Sequence, residues 1–236
     1  MTQHLDKLMS ELIHLANPAK AKLLAGFFKT GPGQYGAGDK FLGIMVPQQR
    51  ELVKKYYREI TVAETEELLH SLYHEARLTA LLILVAKFKR ADKKEQKQIF
   101  QIYLKNTKFI NNWDLVDLSA PNIVGAWLFG KDRAVLHKLA HSPDLWKKRI
   151  AVLATFYFIR EKDFTDALQI AKILLPDEHD LIHKAVGWML REIGKRDITA
   201  EEVFLKKHAA IMPRTMLRYA IEKFPETKRK KYLNIK

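Results

Sequence analysis

The chain has 236 residues, with 41 lysines and arginines against 27 aspartates and glutamates, which gives a formal charge of +14. Hydrophobic residues make up 47% of the chain, enough for a packed core, so a disordered chain is excluded. The absence of cysteine excludes disulfides, a thiolate nucleophile and cysteine-ligated zinc, and 10 glycines with 8 prolines are too few for an all-β fold with many hairpins.

The N-terminal third carries clear helix signals. The first helix has an apolar stripe at helical spacing, made of Leu5, Leu8, Leu12 and Leu15. Pro18 and Pro47 each stand near the start of a helix, where a missing N–H costs nothing, and the second of these helices is predicted to run to about Glu59. Thr61 followed by Glu64 has the spacing of a capping box and predicts the start of another helix.

The next segment, EARLTALLILVAKFKR, is apolar nearly all round and predicts a buried inner helix. Helical periodicity continues from there to the C-terminus, interrupted by short segments that contain proline. No alternating strand pattern is convincing, and the longest apolar runs are far shorter than the roughly 18 residues that a membrane span needs. The sequence therefore predicts an all-α protein that is soluble and cytoplasmic.

A weak internal repeat accompanies these helices. The apolar helices that begin near Arg77, Trp113, Arg149, Lys184 and Arg214 are spaced by 36, 36, 35 and 30 residues. A period of this size is typical of a HEAT-like solenoid, an α-α superhelix of stacked helix pairs. We predict one helical-repeat domain over 1–236; the alternative is a helical bundle with five loosely similar segments.

A solenoid has a concave face, lined by the same helix position from successive repeats. In this alignment Arg77, Arg149, Lys184 and Arg214 lie near one edge of a shared groove with Trp113. A basic groove on a protein of charge +14 predicts a polyanionic partner. The basic tail 226–236 either adds to this binding or is a frayed, solvated terminus.

Two other patterns are misleading. The segment GPGQYG fits the dinucleotide fingerprint GxGxxG, but it follows no strand, so we interpret residues of about 30–40 as a flexible loop. An alternative role for this loop is contact between its exposed amides and a phosphate backbone. Three histidine pairs have i, i+4 spacing, namely His70/His74, His137/His141 and His179/His183, but none has an evident third ligand. We therefore expect no metal site and no cofactor.

One constellation could carry chemistry. Trp113 and Asp117 stand four residues apart and share a helix face, while Asp114 could act as an anion at the start of that helix. Lys184, Trp188 and Arg191 form a second stripe at i, i+4 and i+7. The alternative is that both tryptophans are core residues and that the charges only solvate their helices.

These residues resemble a known family. The motifs WDLVD, WKKR and HKAVGWMLRE, together with GQYGAGDKFLGI followed by VPQQR, resemble the AlkD-type DNA alkylation repair family, alkylpurine DNA glycosylases built of HEAT-like repeats. The likeness extends from about Pro18 to Lys195. It implies hydrolysis of the N-glycosidic bond of N3- or N7-alkylated purines in double-stranded DNA, without strand-nicking activity.

The resemblance also implies roles for single residues. Trp113, Trp188 and Asp117 would surround the deoxyribose of the lesion, and Arg149 would hold the DNA backbone. Phe27 would correspond to an aromatic residue, often tyrosine in the family, that helps to close the groove. Asn112 stands where the family can carry a second aromatic residue.

The expected partner is therefore double-stranded DNA that contains alkylated purines, bound by a monomer in the cytoplasm, on the nucleoid if the source is prokaryotic. The predicted DNA-binding residues are Arg149, Lys184, Arg191, Phe27, Arg77 and Arg214. Two other functions stay open at this point: a DNA-structure-binding repeat protein without catalysis, and a scaffold for protein interactions.

Overall fold

The computed structural model describes residues 3–235, so Met1, Thr2 and Lys236, at the ends of the predicted domain and tail, lie outside the described residues. The helices are α1 Gln3–His14, α2 Pro18–Phe27, α3 Val46–Tyr56, α4 Val62–Leu69, α5 His74–Phe88, α6 Lys93–Lys105, α7 Trp113–Ala120, α8 Ala126–Leu128, α9 Ala134–Ala140, α10 Leu145–Arg160, α11 Thr165–Ile173, α12 Asp180–Gly194, α13 Ile198–His208, α14 Arg214–Ala220 and α15 Glu226–Leu233. A π-helical turn, Pro121–Gly125, follows α7. Within residues 3–235 there is no strand, only one isolated bridge between Lys40 and Tyr73, and the all-α prediction is confirmed.

The chain divides into two compact units, Met1–Ile123 and Val124–Lys236. The first contains α1–α7 and the second α8–α15. That both act as one domain over 1–236 stays a prediction. None of the helices in residues 3–235 combines the length and the apolar character that a membrane span requires.

Local signals place the helix starts of the first unit correctly. Asn17 caps α2, accepting a hydrogen bond from the backbone N–H of Lys20 at 3.0 Å, and Pro18 opens the helix. The capping box is present, since Thr61 accepts from the Glu64 amide at 3.2 Å while the Glu64 carboxylate accepts from the Thr61 amide at 2.7 Å. Helix α3 ends at Tyr56, short of the prediction, because a turn there carries the chain into the core at Ile60.

The predicted buried inner helix is α5. Its apolar residues are almost fully buried, and it packs against α3, α4, α6 and α7 within the first unit. The same arrangement recurs in the second unit, where α10, α12 and α14 pack against each other in chain order. Helix α9 lies beside α10, and α11 and α13 lie beside α12. A helical repeat of inner and outer helices is thereby confirmed.

Close contact between inner helices of the second unit depends on glycine. A Cβ atom at Gly187 of α12 would lie 2.4 Å from the carbonyl oxygen of Met216 and 2.5 Å from the Cβ of Tyr219 on α14. We expect Gly187→Ala to lower the free energy of unfolding by about 1–3 kcal/mol, because the two helices must move apart. Urea unfolding followed by circular dichroism measures the change.

The matched control is Gly26→Ala in α2, where a new Cβ meets no described atom within 4 Å. Its effect should stay within about 1 kcal/mol, with the intrinsic helix preference favouring alanine. Equal stability of both variants and the parent chain would contradict the close-contact argument.

Glu201, in the first turn of α13, is a buried carboxyl group, 1% exposed. It lies against α12 at Gly194, where a Cβ would meet its Oε2 atom at 1.7 Å. Burial and the neighbouring Glu202 raise the pKa of Glu201 to about 8, although Lys228 and Arg191 act in the opposite direction. At neutral pH this carboxyl therefore retains its proton.

This proton makes stability depend on pH. In the unfolded chain a glutamate loses its proton near pH 4.3, whereas in the folded chain Glu201 loses it near its pKa of about 8. The unfolded state binds fewer protons between these values, so stability falls as pH rises across that window. Glu201→Gln removes this dependence. We therefore expect the difference in melting temperature, variant minus parent, to become more positive as pH rises from 5 to 8. Glu178→Gln, a change at an exposed residue, is the control, and the same pH dependence of the melting-temperature difference in both variants would refute the assignment.

The described part of the basic tail is folded. Residues Glu226–Leu233 form α15, and Tyr232 is buried beside the ring of Phe224 at 5.8 Å. Arg214 donates to the carbonyl of Leu233 at 2.7 Å, which ties α14 to the end of α15. The alternative of a frayed terminus is therefore wrong for these residues, and a binding role stays a prediction.

Candidate functional site

A stack of aromatic rings supports Trp113 in the first unit. The ring of Phe28 stacks on Trp113 and also on Phe41, with ring centroids 5.2 Å apart in both pairs. Phe27 meets the indole edge-on at 5.9 Å. The start of α7 is fixed as well, because the side chain of Asn112 accepts a hydrogen bond from the Trp113 amide at 2.9 Å. Trp113 is thus held both at its backbone amide and at its indole ring.

A cavity of about 370 Å³ opens beside this stack. Its walls are mainly aromatic and aliphatic: Leu24, Phe27, Phe28, Phe41, Ile44, Met45, Val46, Leu78, Trp113 and Leu118. Polar side chains also reach it, namely Gln49, His74, Glu75, Asp114 and Asp117. The i, i+4 pair of Trp113 and Asp117 therefore lies at one cavity, as a shared helix face requires.

Asp117 is half-buried on the second turn of α7. Burial, together with the charge of Asp117, raises the pKa of Tyr103, whose hydroxyl lies 2.9 Å from the Ser119 hydroxyl. A carboxylate in a mostly apolar wall, one helical turn from an indole, is suited to stabilise a positive charge that develops in the cavity.

Two of the polar lining residues, His74 and Asp114, belong to a buried ionic cluster. His74, 2% exposed, places Nδ1 3.2 Å from Asp39 Oδ2 and Nε2 2.9 Å from Asp114 Oδ2. Arg77 donates from Nη2 to Asp39 Oδ1 at 2.7 Å. Asp39 also accepts from the side-chain amides of Asn111 and Asn112, at 3.1 and 3.3 Å. The cluster therefore joins the loop after α2, the start of α5 and the segment that leads into α7.

The cluster sets the charge of its own members. Burial alone would favour neutral His74, but hydrogen bonds to Asp114 and Asp39 outweigh it and raise the pKa of His74 to about 8. Burial likewise opposes a charged Asp39, yet its hydrogen bond to His74 and the charge of Arg77 hold the pKa of Asp39 below its usual value. At neutral pH the imidazole is a cation between two carboxylates.

Glu75, another residue that lines the cavity, holds a segment of irregular backbone. Its carboxylate accepts hydrogen bonds from three consecutive amides, those of Leu42, Gly43 and Ile44, at 2.9, 2.8 and 3.2 Å. Gly43 has a φ of +85°, and a Cβ there would lie 2.2 Å from the carbonyl oxygen of Asn17, so only glycine fits. The end of the glycine-rich segment, predicted to be flexible, is therefore anchored through Asp39 and the residues that follow it.

Comparison with known proteins identifies the family. The model of the family described as DNA alkylation repair enzyme matches residues 8–224. The chain belongs to this family. A solved structure, titled a predicted DNA alkylation repair enzyme from Enterococcus faecalis, is similar with a TM-score of 0.70 and 17% sequence identity, over 89% of this chain and 97% of that one. That likeness shows a shared fold. A comparison with curated proteins finds no match.

Membership of the DNA alkylation repair family gives the chain a role in the repair of alkylated DNA, with DNA as the partner that the family suggests. Phe27, the residue expected to help close a groove, is 63% exposed at the cavity. Arg77 differs from its expected position. It is 4% exposed, and it also donates to the backbone carbonyls of Ser71 and Leu72, so it braces the cluster rather than facing a phosphate.

The second unit holds the other predicted residues. Trp188 is half-buried on α12, 5.8 Å from the ring of Phe156, and donates from Nε1 to Glu192 at 3.3 Å. Arg149 is 5% exposed and donates to the carbonyl of Leu181 at 2.7 Å. Arg149 therefore connects α10 to the first turn of α12; its contact with the DNA backbone stays a prediction.

Two other predicted DNA-binding residues, Lys184 and Arg191, form ion pairs with carboxylates. Lys184 lies 2.6 Å from Asp180, one turn earlier on α12, and Arg191 contacts Glu222. Both pairs are at least partly exposed. Among the described residues no group of three histidines, aspartates or glutamates is arranged to hold a metal ion.

Sequence reasoning missed the ionic cluster and two rings of the stack, Phe28 and Phe41. A signal was present for His74, which stands in one of the i, i+4 histidine pairs, and for Asp39, which stands in the glycine-rich segment. Neither signal identified the partner, because each ion pair joins residues that are 35 or more positions apart.

Proposed function

We propose that the protein is a monofunctional DNA glycosylase that hydrolyses the N-glycosidic bond of N3- or N7-alkylated purines in double-stranded DNA. The observation that carries this proposal is the pairing of Asp117 and Trp113 at one aromatic cavity, in a chain of the DNA alkylation repair family. The formal charge of +14 supports a DNA partner. We further propose that the protein acts as a monomer.

The chemistry needs few groups. A purine alkylated at N3 or N7 is already cationic and departs as a neutral base, so no strong general acid has to protonate it. The sugar that remains takes on oxocarbenium character. In the proposed mechanism, the Asp117 carboxylate and the Trp113 indole face stabilise this positive charge. Asp117 also orients the water, whose oxygen bonds to C1′ as the bond from C1′ to the purine nitrogen breaks, and whose proton passes to solvent.

The second unit contributes through residues carried over from the family resemblance. We propose that Trp188 supplies a second indole for the deoxyribose and that Arg149, Lys184 and Arg191 contribute to binding of the DNA backbone. Trp188→Ala in the assay below tests the first of these roles. A release rate equal to that of the parent chain would remove Trp188 from the site.

Base release from defined DNA tests the proposal. Duplexes that carry one N7-methylguanine or one N3-methyladenine are incubated with the protein, and free base is quantified by mass spectrometry. We expect release well above the buffer rate, no release of unmodified guanine, and intact strands until alkali cleaves the abasic site. Release at the buffer rate would overturn the proposal. Tight DNA binding would then point to a structure-binding protein, and the absence of DNA binding to a protein-interaction scaffold.

A further inference from the structure

His74 contacts two structures that hold the Trp113 indole at the proposed site, namely the start of α7 and the aromatic ring stack. One ring nitrogen reaches Asp114, the second residue of α7, and the other reaches Asp39, which also binds Asn111 and Asn112 just before the helix. The imidazole ring stacks on Phe41, with ring centroids 4.6 Å apart, and makes a tilted contact with Phe28 at 4.8 Å. Phe28 is the ring on which Trp113 stacks.

We propose that His74, as a charged imidazolium bridging Asp39 and Asp114, is a positioning residue that holds Trp113 and Asp117 in place at the cavity. This inference rests on the proposed glycosylase function. The residue touches no substrate in this scheme and acts only through the start of α7 and the ring stack.

The geometry requires the charged form. A neutral imidazole has one N–H, so one of the two carboxylates would face a nitrogen lone pair at about hydrogen-bond distance. An imidazolium donates from both nitrogens and satisfies both carboxylates at once. Because the ring is 2% exposed, water has little access to replace a lost hydrogen bond.

The charged groups near His74 come from three parts of the chain. The loop after α2 supplies Asp39, α7 supplies Asp114, and α5 itself supplies Glu75 and Arg77. Glu75 is bound by three backbone amides, and Arg77 pairs with Asp39. Deprotonation of His74 therefore removes the cation that pairs with Asp114 and loosens the start of α7.

The consequence is a pH dependence of the chemical step. With the pKa of His74 near 8, the charged form dominates at neutral pH and is lost as pH rises through that value. The single-turnover rate of base release should therefore have a descending limb with a midpoint near pH 8. DNA affinity should change less than the rate, because the bridge acts on the alignment of the indole and the carboxylate.

Three variants are compared from pH 6 to 9, with spontaneous depurination subtracted at each pH. His74→Gln should lower the rate at pH 7 about ten- to hundredfold, the range expected for a misplaced catalytic group, and should lack the limb. Asp114→Asn removes a carboxylate that favours the cation, so it should move the limb to lower pH. The exposed His14→Gln, at the end of α1, is the control and should keep the parent profile.

A second readout does not depend on activity. The indole N–H resonance of Trp113, assigned with Trp113→Phe, should shift with pH in the parent chain with a midpoint near 8, and it should not do so in His74→Gln. If His74→Gln does not fold, the shifted midpoint in Asp114→Asn provides the same test. A parent chain that shows the indole transition but releases no base would overturn the glycosylase proposal and leave the bridge intact. Base release with an identical pH profile and indole signal in His74→Gln or Asp114→Asn would overturn the positioning role.

Discussion

Replacement of Asp117 by asparagine should lower the single-turnover rate of base release about a thousandfold. One carboxylate at about 4 Å from a developing cation contributes roughly 4 kcal/mol at an effective dielectric constant of ~20. At ~1.4 kcal/mol per factor of ten, this corresponds to a loss of about three orders of magnitude. Asparagine keeps the size and shape of the side chain, so the half-buried position on α7 should tolerate it without loss of fold.

The rate is measured with enzyme in excess over N7-methylguanine duplex, and DNA binding is measured separately by fluorescence anisotropy. Affinity should remain close to that of the parent chain, because Asp117 is proposed to act on charge that appears only in the transition state. Asp6→Asn, an exposed change on α1, is the control and should keep full activity. Parent-like release by Asp117→Asn would refute the catalytic role of this carboxylate.

Replacement of Asp39 by alanine should have the largest effect on stability, a loss of about 3–5 kcal/mol in the free energy of unfolding. The change leaves Arg77 and His74 as buried cations with one partner fewer, and breaking a buried ion pair from one side carries a cost of about this size. It also removes the acceptor of Asn111 and Asn112. Urea unfolding at pH 7, followed by circular dichroism, measures the difference.

The pH dependence of this loss follows from the Asp39 carboxylate. Its pKa is lowered on folding, so its contribution is present above the unfolded value near 3.9 and disappears as pH falls through the folded value. The difference in the free energy of unfolding between parent and variant should therefore become smaller below pH 4. The double variant Asp39→Ala/Arg77→Met should recover part of the stability, because the unpaired guanidinium is gone. A neutral effect of Asp39→Ala would show that the cluster contributes nothing to folding.

Local signals in the sequence were sufficient to predict the helices and part of the site. Capping at Thr61 and the prolines near helix starts depend on residues a few positions apart, and Trp113 and Asp117 share a face for the same reason. The buried inner helix α5 was predicted from its continuous run of apolar residues. In each case the information lies within one or two helical turns.

The ionic cluster could not be predicted in this way. Asp39 meets His74 and Arg77 across 35 and 38 positions, and no local pattern records which basic residue finds a buried carboxylate. The repeat spacing groups Arg77 and Arg149 with the other cations at the starts of inner helices. Spacing alone does not distinguish an exposed cation from a buried one, and both arginines are buried. Residues of the loop after α2 were interpreted as flexible from their glycines, whereas Asp39 fastens its end.

The three amides that bind Glu75 lie outside any helix, yet one buried carboxylate holds all of them. Opening this segment would leave a desolvated carboxylate without donors, which is costly. We therefore expect the amide hydrogens of Leu42, Gly43 and Ile44 to exchange with deuterated solvent as slowly as those of a core helix. Irregular backbone at the cavity wall would then move as little as the regular helices around it.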